Sequence, residues 1–289
     1  MSSSSGFLLV DKPEGISSFT VVRQLRKITG LKAIGHTGTL DPFASGLLIC
    51  CLGACTRLAQ YLEAESKVYE ATCVFGHETD TGDTEGQIIQ SAELPAKLPD
   101  PDQLTRAALS LQSLAVPAYS AVKIAGKRAY QYAREGIQTE IPDRETEISS
   151  FEIVELTRES LKYRCRVSKG TYIRSLSQWL ARQCGTLGNT TELRRTAIGE
   201  ISIEHATQLS ELDSANWESQ LKRAQDLLSS QASIIVSPSQ ATDLHHGKSI
   251  EFSGEACESI FVYSKEGALL SICSLQDKLL KPKQNFPYV

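Results

Sequence analysis

The sequence predicts an α+β protein with a mixed, largely antiparallel sheet, followed by a small β-rich module. Two observations carry this. Strand-like runs outnumber helical ones and follow in irregular order, which a doubly wound sheet does not allow. Short strands then gather again beyond the polar stretch Ser229–Ser239.

Taken in order, Gly6–Val10 reads as a strand closed by the turn Asp11-Lys12-Pro13-Glu14-Gly15. Ser17 or Ser18 can cap a helix with Val21, Val22, Leu25 and Ile28 on its apolar face and Gly30 at its end. A glycine-rich loop runs from Gly35 to Pro42, then a buried strand over Gly46–Leu52 and a short helix over Thr56–Leu62. Lys67–Phe75 is rich in strand formers. The turn Thr79–Gly86 joins it to a strand at Gln87–Gln90. A helix is predicted near Asp102–Leu111, then an extended piece within Pro117–Gly136 that turns helical from Arg128. Leu161–Ser168 alternates as a strand, and Leu193–Ile203 reads as another. Between them Tyr172–Gln183 reads as a helix with Ile173, Leu176, Trp179 and Leu180 inward. The tail offers strands at Ile250–Phe252, Ile260–Tyr263 and Ala268–Ser274, which divides the chain into 1–232 and 233–289.

Composition narrows the function classes. No apolar run approaches the ~20 residues that span a bilayer, and Met1–Gly6 lacks the basic start of a secretory signal, so a cytoplasmic protein is expected. The eight cysteines include no Cys-x-x-Cys pair and the histidines lack zinc spacing, so neither a disulfide framework nor a metal is expected. A net charge of −4 opposes a nucleic-acid partner, but the charge is unevenly spread. From Arg158 to Arg195 nine cations face two anions, a net +7. On charge alone, a phosphate-binding surface and a merely solvated face fit equally well.

The loop Gly35-His36-Thr37-Gly38-Thr39-Leu40-Asp41-Pro42 is where chemistry is expected. Its glycines allow close backbone approach to a ligand, and Pro42 keeps Asp41 out of the α region. From local pattern alone an ordinary tight turn is the better reading. The longer stretch Gly35 to Leu48, however, resembles the catalytic motif of the TruB family of pseudouridine synthases. Asp11-Lys12-Pro13-Glu14-Gly15-Ile16-Ser17-Ser18 resembles the family's N-terminal motif. Lys67-Val68-Tyr69 and the turn Gly76 to Gly86 are similar to its next two motifs. Tyr119 to Lys123 and Gly126-Lys127-Arg128 resemble its RNA-gripping insertion, about 114–142 here. Ser168 to Ser175 and Leu193 to Thr196 complete the series, in family order. One departure stands out: Leu114-Ala115-Val116-Pro117-Ala118 replaces a Gln-x-Pro-Pro-x segment.

The resemblance implies a pseudouridine synthase fold with a PUA-like tail, and isomerisation of uridine 55 in the tRNA T-loop. No cofactor, metal or obligate protein partner is implied, and a monomer is expected. Asp41 becomes the catalytic carboxylate, either adding to the ribose or removing a proton beside it. Arg174 pairs with it, and Tyr69 stacks on the flipped base. His36 fills the vacated space, Leu193 lines the pocket, and Asp83 orients groups in the acidic turn, where an Asx-turn is the plainer reading. Lys12, Lys123, Lys127, Arg128, Lys169, Arg194 and Arg195 are candidate RNA contacts. The alternative is a non-catalytic tRNA-binding protein or RNA folding chaperone on the same scaffold. A glycosidase would need a second carboxylate opposite Asp41, for which Asp83 is the nearest candidate.

Overall fold

Nine strands form one mixed sheet in a computed structural model that describes residues 5–124, 126–137 and 139–287. Its main path runs Ile148–Leu156, Ser160–Val167, Lys67–Phe75, Gly188–Ile198, Ser45–Leu52, Gly6–Lys12 and Thr207–Gln208. Ile34–His36 and Ile201–Ser202 pair off this path. Gly188–Ile198 with Ser45–Leu52, and Gly6–Lys12 with Thr207–Gln208, are the parallel pairs; the other pairings in this sheet are antiparallel.

Two helices cover the sheet where the chemistry lies. Helix Ser18–Thr29 starts at Ser17, whose side chain accepts from Thr20 N at 3.1 Å, and stops at left-handed Gly30. It buries Val21, Val22 and Leu25 against Leu8, Val10, Leu48, Cys50 and Leu52. Helix Ile173–Gln183 buries Ile173, Leu176 and Leu180 against Tyr69, Ala71, Cys73 and Leu193. Both apolar faces follow the helical period read from the sequence.

Several boundaries differ from expectation. The strand placed at Leu193–Ile203 is instead Gly188–Ile198. Its first residues are poor strand formers, recruited by pairing with Phe75, Val74 and Cys73. A Cβ on Gly188 would lie 2.8 Å from Cys73 Sγ and from Ala181 Cβ, so only glycine permits this approach. Gly199, with φ +55°, then folds Ile201–Ser202 back onto Ala197 and Ile198. The Thr56–Leu62 helix is a 3-10 turn over Gly53–Leu58 followed by Ala59–Glu63. Strand Ile148–Leu156 has no clean alternation in sequence, because two register shifts interrupt its pairing. The insertion is closed at its neck by Ser113–Leu114 pairing with Arg144–Glu145. It holds a Lys123–Ile124/Lys127–Arg128 hairpin and helix Ala129–Arg134.

The C-terminal sheet has the order Ser233–Ile235, Cys257–Tyr263, Leu269–Gln276, Leu279–Asn285, Ile250–Glu251. Helix Pro238–His245 begins at the end of the polar stretch Ser229–Ser239, started by a capping box of Ser237 and Gln240. The tail keeps a core of its own, including Val236, Leu244, Ile250, Val262, Cys273 and Leu280, and turns the other face of its sheet toward the catalytic sheet. Phe261, Tyr263, Leu269, Ile272 and Phe286 share one buried cluster with Phe7, Leu9, Leu47, Ile49 and Leu58. Tyr61 meets Phe261 edge to face at 4.9 Å, and the Arg57 guanidinium sits 4.6 Å over the Phe286 ring. Phe261→Ala is therefore expected to cost about 3–5 kcal/mol in urea unfolding, with both sheets melting together. Two separated transitions, or a loss confined to the tail, would show that the modules fold independently.

Candidate active site

The Gly35–Pro42 loop is held by side chains from distant elements. Leu40 and Phe43, on either side of Asp41, are buried with Ala44, Tyr69 and Leu193. Ser18 clamps Leu40 twice, accepting from its N–H at 2.9 Å and donating to its carbonyl at 3.1 Å. Lys12 is fully buried, and its Nζ donates to Pro13 O and Ile16 O at 2.8 Å and to Pro42 O at 3.3 Å. Gly15 N donates to the same Pro42 oxygen at 2.8 Å. Arg195, also buried, donates to Leu47 O at 2.8 Å and Gly38 O at 3.0 Å. Gly46 lets the parallel strands approach beside this brace: a Cβ there would lie 2.3 Å from Arg195 O.

Within this frame Asp41 meets Arg174. Arg174 Nε lies 2.9 Å from Asp41 Oδ2, and Nη2 donates to Oδ1 at 3.3 Å, a two-point contact. The Arg174 side chain is 3% exposed and that of Asp41 33%, so the carboxylate opens to solvent while its cation does not. Arg174 also donates to Tyr119 O at 3.0 Å and to Thr81 O. Its Nη1 stands 3.6 Å from Asp83 Oδ2. One guanidinium thus joins the catalytic loop, the acidic turn and the root of the insertion. Burial pushes the Asp41 carboxyl above its ordinary range, and Arg174 pulls it back.

The remaining candidates divide by environment. Asp83 is buried and accepts from Thr81 Oγ1 at 2.6 Å and Glu85 N at 3.0 Å, the Asx-type turn, besides facing Arg174. Asp83 and Asp41 share one cation rather than facing each other across a gap for a sugar, an arrangement unlike a glycosidase pair. Tyr69 and Leu193 lie in the same buried cluster as Leu40. His36 is half-buried with Nδ1 lacking a protein partner, and burial, then Arg195, lowers its pKa, which favours the neutral ring.

The proposed RNA contacts need correction. Lys12 and Arg195 are interior braces, unavailable to phosphates because every donor direction is spent on loop carbonyls or closed off by packing. Arg194 is half-exposed but holds Asp11 through two contacts, at 2.7 and 3.1 Å. Lys127 is paired with Glu135 beneath the Tyr132 ring, and Arg128 donates to Ala121 O. Lys123 and Lys169 are exposed. The +7 run also has acidic neighbours that the linear sequence conceals. Arg164 sits opposite both Glu70 and Glu152, Lys162 opposite Glu155, and Arg182 bonds Glu78 at 2.6 Å.

Three further residues around the site carry no role there in the sequence reading. Ser18 was read as a possible cap, a role that Ser17 takes. Asp11 heads the N-terminal motif, but its partner Arg194 is set by strand pairing and not by any local pattern. Glu85, exposed, has its carboxyl raised by burial and by Asp83 and Asp41, so it borders the site.

Known proteins decide what this geometry belongs to. Residues 26–173 match the family described as TruB family pseudouridylate synthase (N terminal domain). The tRNA pseudouridine synthase B of Leifsonia xyli is 37% identical over 98% of this chain and 97% of its own. The protein belongs to the TruB family of pseudouridine synthases. A second relative, tRNA pseudouridine synthase B of Aromatoleum aromaticum, is 42% identical over 75% of this chain and 70% of its own. In fold, the chain is similar to a protein of an H/ACA RNP bound to a substrate RNA containing 2'-deoxyuridine, with TM-score 0.72 and 18% identity over 97% and 84% of the two chains. The synthase is an isomerase, and its catalytic sheet with a PUA-like tail is the fold of that group. Among the described residues no helix is long and apolar enough to cross a membrane, and no cluster is placed to hold a metal.

Two outcomes follow from the geometry. Lys12→Met removes the donor for three carbonyls and is expected to cost roughly 2–4 kcal/mol of stability, read by thermal or urea unfolding; stability equal to wild type would deny the brace. If ionised Asp41 is the reactive form, the acid limb of kcat/KM lies above the ordinary aspartate range, because its folded pKa is raised. Arg174→Gln removes the opposing cation and should move that limb further up in pH. A limb that stays in place would detach Arg174 from the carboxylate's ionisation.

Proposed function

We propose that the protein converts uridine 55 in the T-loop of transfer RNA to pseudouridine, acting as a monomer in the cytoplasm. The observation that carries the reading is Asp41, half-open to solvent and gripped at both oxygens by buried Arg174, in a loop matching the family's catalytic motif. The relatives named tRNA pseudouridine synthase B support tRNA as the substrate.

The reaction breaks the bond between uracil N1 and ribose C1′ and joins C5 to C1′; the C5 proton leaves and N1 gains one. It needs no redox equivalent. The base must leave its stack, at a cost of a few kcal/mol, which stacking on Tyr69 offsets by about 1–3 kcal/mol. His36 fills the space vacated by the base, and Leu193 closes the pocket wall. Asp41 acts on the sugar, as nucleophile or as base toward the adjacent proton. Arg174 keeps it ionised and aimed, while Asp83 fixes the guanidinium from the other side. Lys123, Lys127, Arg128 and Lys169 supply phosphate contacts, with Lys127 and Arg128 first leaving their present partners. The C-terminal module extends contact toward the acceptor arm.

Mapping pseudouridine in a tRNA transcript treated with wild type and Asp41→Asn tests the reading. The amide keeps shape and removes charge, so binding should persist while product falls by at least a thousandfold; product formed at the native rate would end the proposal. Arg174→Lys keeps a charge but not the planar fork, and should bind tRNA yet lose most turnover. Tritium release from C5-labelled tRNA separates the enzyme from a chaperone, which releases none. Tyr69→Phe divides that residue's parts: slower turnover with unchanged affinity assigns work to the hydroxyl, and an unchanged rate leaves the ring alone.

A further inference from the structure

Helix Ser18–Thr29 contains no acidic residue, and its outer surface has a pattern the site does not use. Phe19 is 63% exposed at its first turn, and Arg23, Arg26 and Lys27 are exposed after it. At about 100° per residue these four fall within roughly 100° of arc, so they form one ridge about 12 Å long. Arg26 reaches back to Ile34 O at 3.3 Å. The described ion pairs include none of the three cations. Cations in the last turn also suit the helix dipole, but that explains neither Arg23 nor an exposed phenyl ring.

The position of the ridge decides its reading. Ser18, beside Phe19, clamps Leu40 from both sides, one residue before Asp41. Lys12 ties Ile16 O and Pro42 O together, fixing the start of the helix to the other end of the same loop. A lone exposed phenylalanine is ordinary elsewhere on a surface. Here it follows Ser18, which holds Leu40 next to Asp41, and cations lead away from it along the helix. Unlike those of the Arg158–Arg195 run, these cations face no carboxylates across a strand.

We propose that the Phe19–Arg23–Lys27 ridge is a substrate-binding surface for the RNA strand flanking the target uridine. Phe19 stacks on a neighbouring unpaired base, and Arg23 and Lys27 take the phosphates that follow. This rests on the RNA substrate proposed above. Stacking on an aromatic tolerates any base, while the cations contribute a salt-dependent share of affinity.

The test uses the full-length protein and an unmodified tRNA transcript, with binding and single-turnover rate measured separately. Phe19→Ala should weaken binding about tenfold, and Phe19→Trp should restore it where Phe19→Leu does not. The Arg23→Gln/Lys27→Gln pair should lower the slope of log Kd against log salt by about 1.5. At saturating RNA all variants should turn over within about twofold of wild type, as expected for a surface that touches no reacting atom. Affinity and salt slope equal to wild type would overturn the ridge, as would a fall in thermal midpoint alone, which would assign these residues to helix stability. Should wild type bind the transcript without modifying it while the variants still bind more weakly, the ridge stands and the uridine assignment fails.

Discussion

Arg174 is the group on which the site depends. It is almost fully buried, a costly place for a cation unless acceptors and opposite charge surround it. Two carboxylates and two carbonyls supply this, and they come from three segments far apart in sequence: Asp41, the Thr81–Asp83 turn, and Tyr119 at the root of the insertion. The guanidinium opposes the effect of burial on Asp41 and joins loop, turn and insertion. Lysine keeps the charge but cannot make these planar contacts together. Asp83 faces the same guanidinium from the other side, so two acids share one buried cation.

The loop that offers Asp41 is fixed in the same manner, by side chains reaching in from elsewhere. Its glycines give little rigidity of their own, and a strand–turn–strand of this composition would wander in solution. Leu40 and Phe43 act as apolar anchors on either side of the carboxylate, and Ser18, Lys12 and Arg195 hold backbone carbonyls around it. The carboxylate is preorganised because its neighbours along the chain are immobile, so little reorganisation is left for the chemical step. Two residues that looked like phosphate contacts turn out to supply this rigidity.

Charge distribution illustrates how pairing overrides sequence. The Arg158–Arg195 run reads as basic, yet antiparallel neighbours set Glu70, Glu152 and Glu155 opposite its cations. Helix Ser18–Thr29 is less conspicuous in sequence but has no acidic neighbour on its own surface. Cations alternating along a strand meet the next strand's residues at about 5 Å, whereas those on an outward helix ridge meet solvent or a ligand.

The sequence alone determined the fold class, the two amphipathic helices, the Lys67–Phe75 strand and the family motifs around Asp41, Tyr69 and Arg174. These are properties of short stretches: apolar period, capping residues, and motif order along the chain. Tertiary structure decided what depends on residues far apart meeting. It started a strand at Gly188 against local propensity, packed one face of the tail's sheet into a core shared with the catalytic sheet, and turned Lys12 and Arg195 from surface cations into braces. Burial and hydrogen-bond partners are set by which segments pack together, and in a sheet with crossover connections that information lies in the pairing rather than in any one segment.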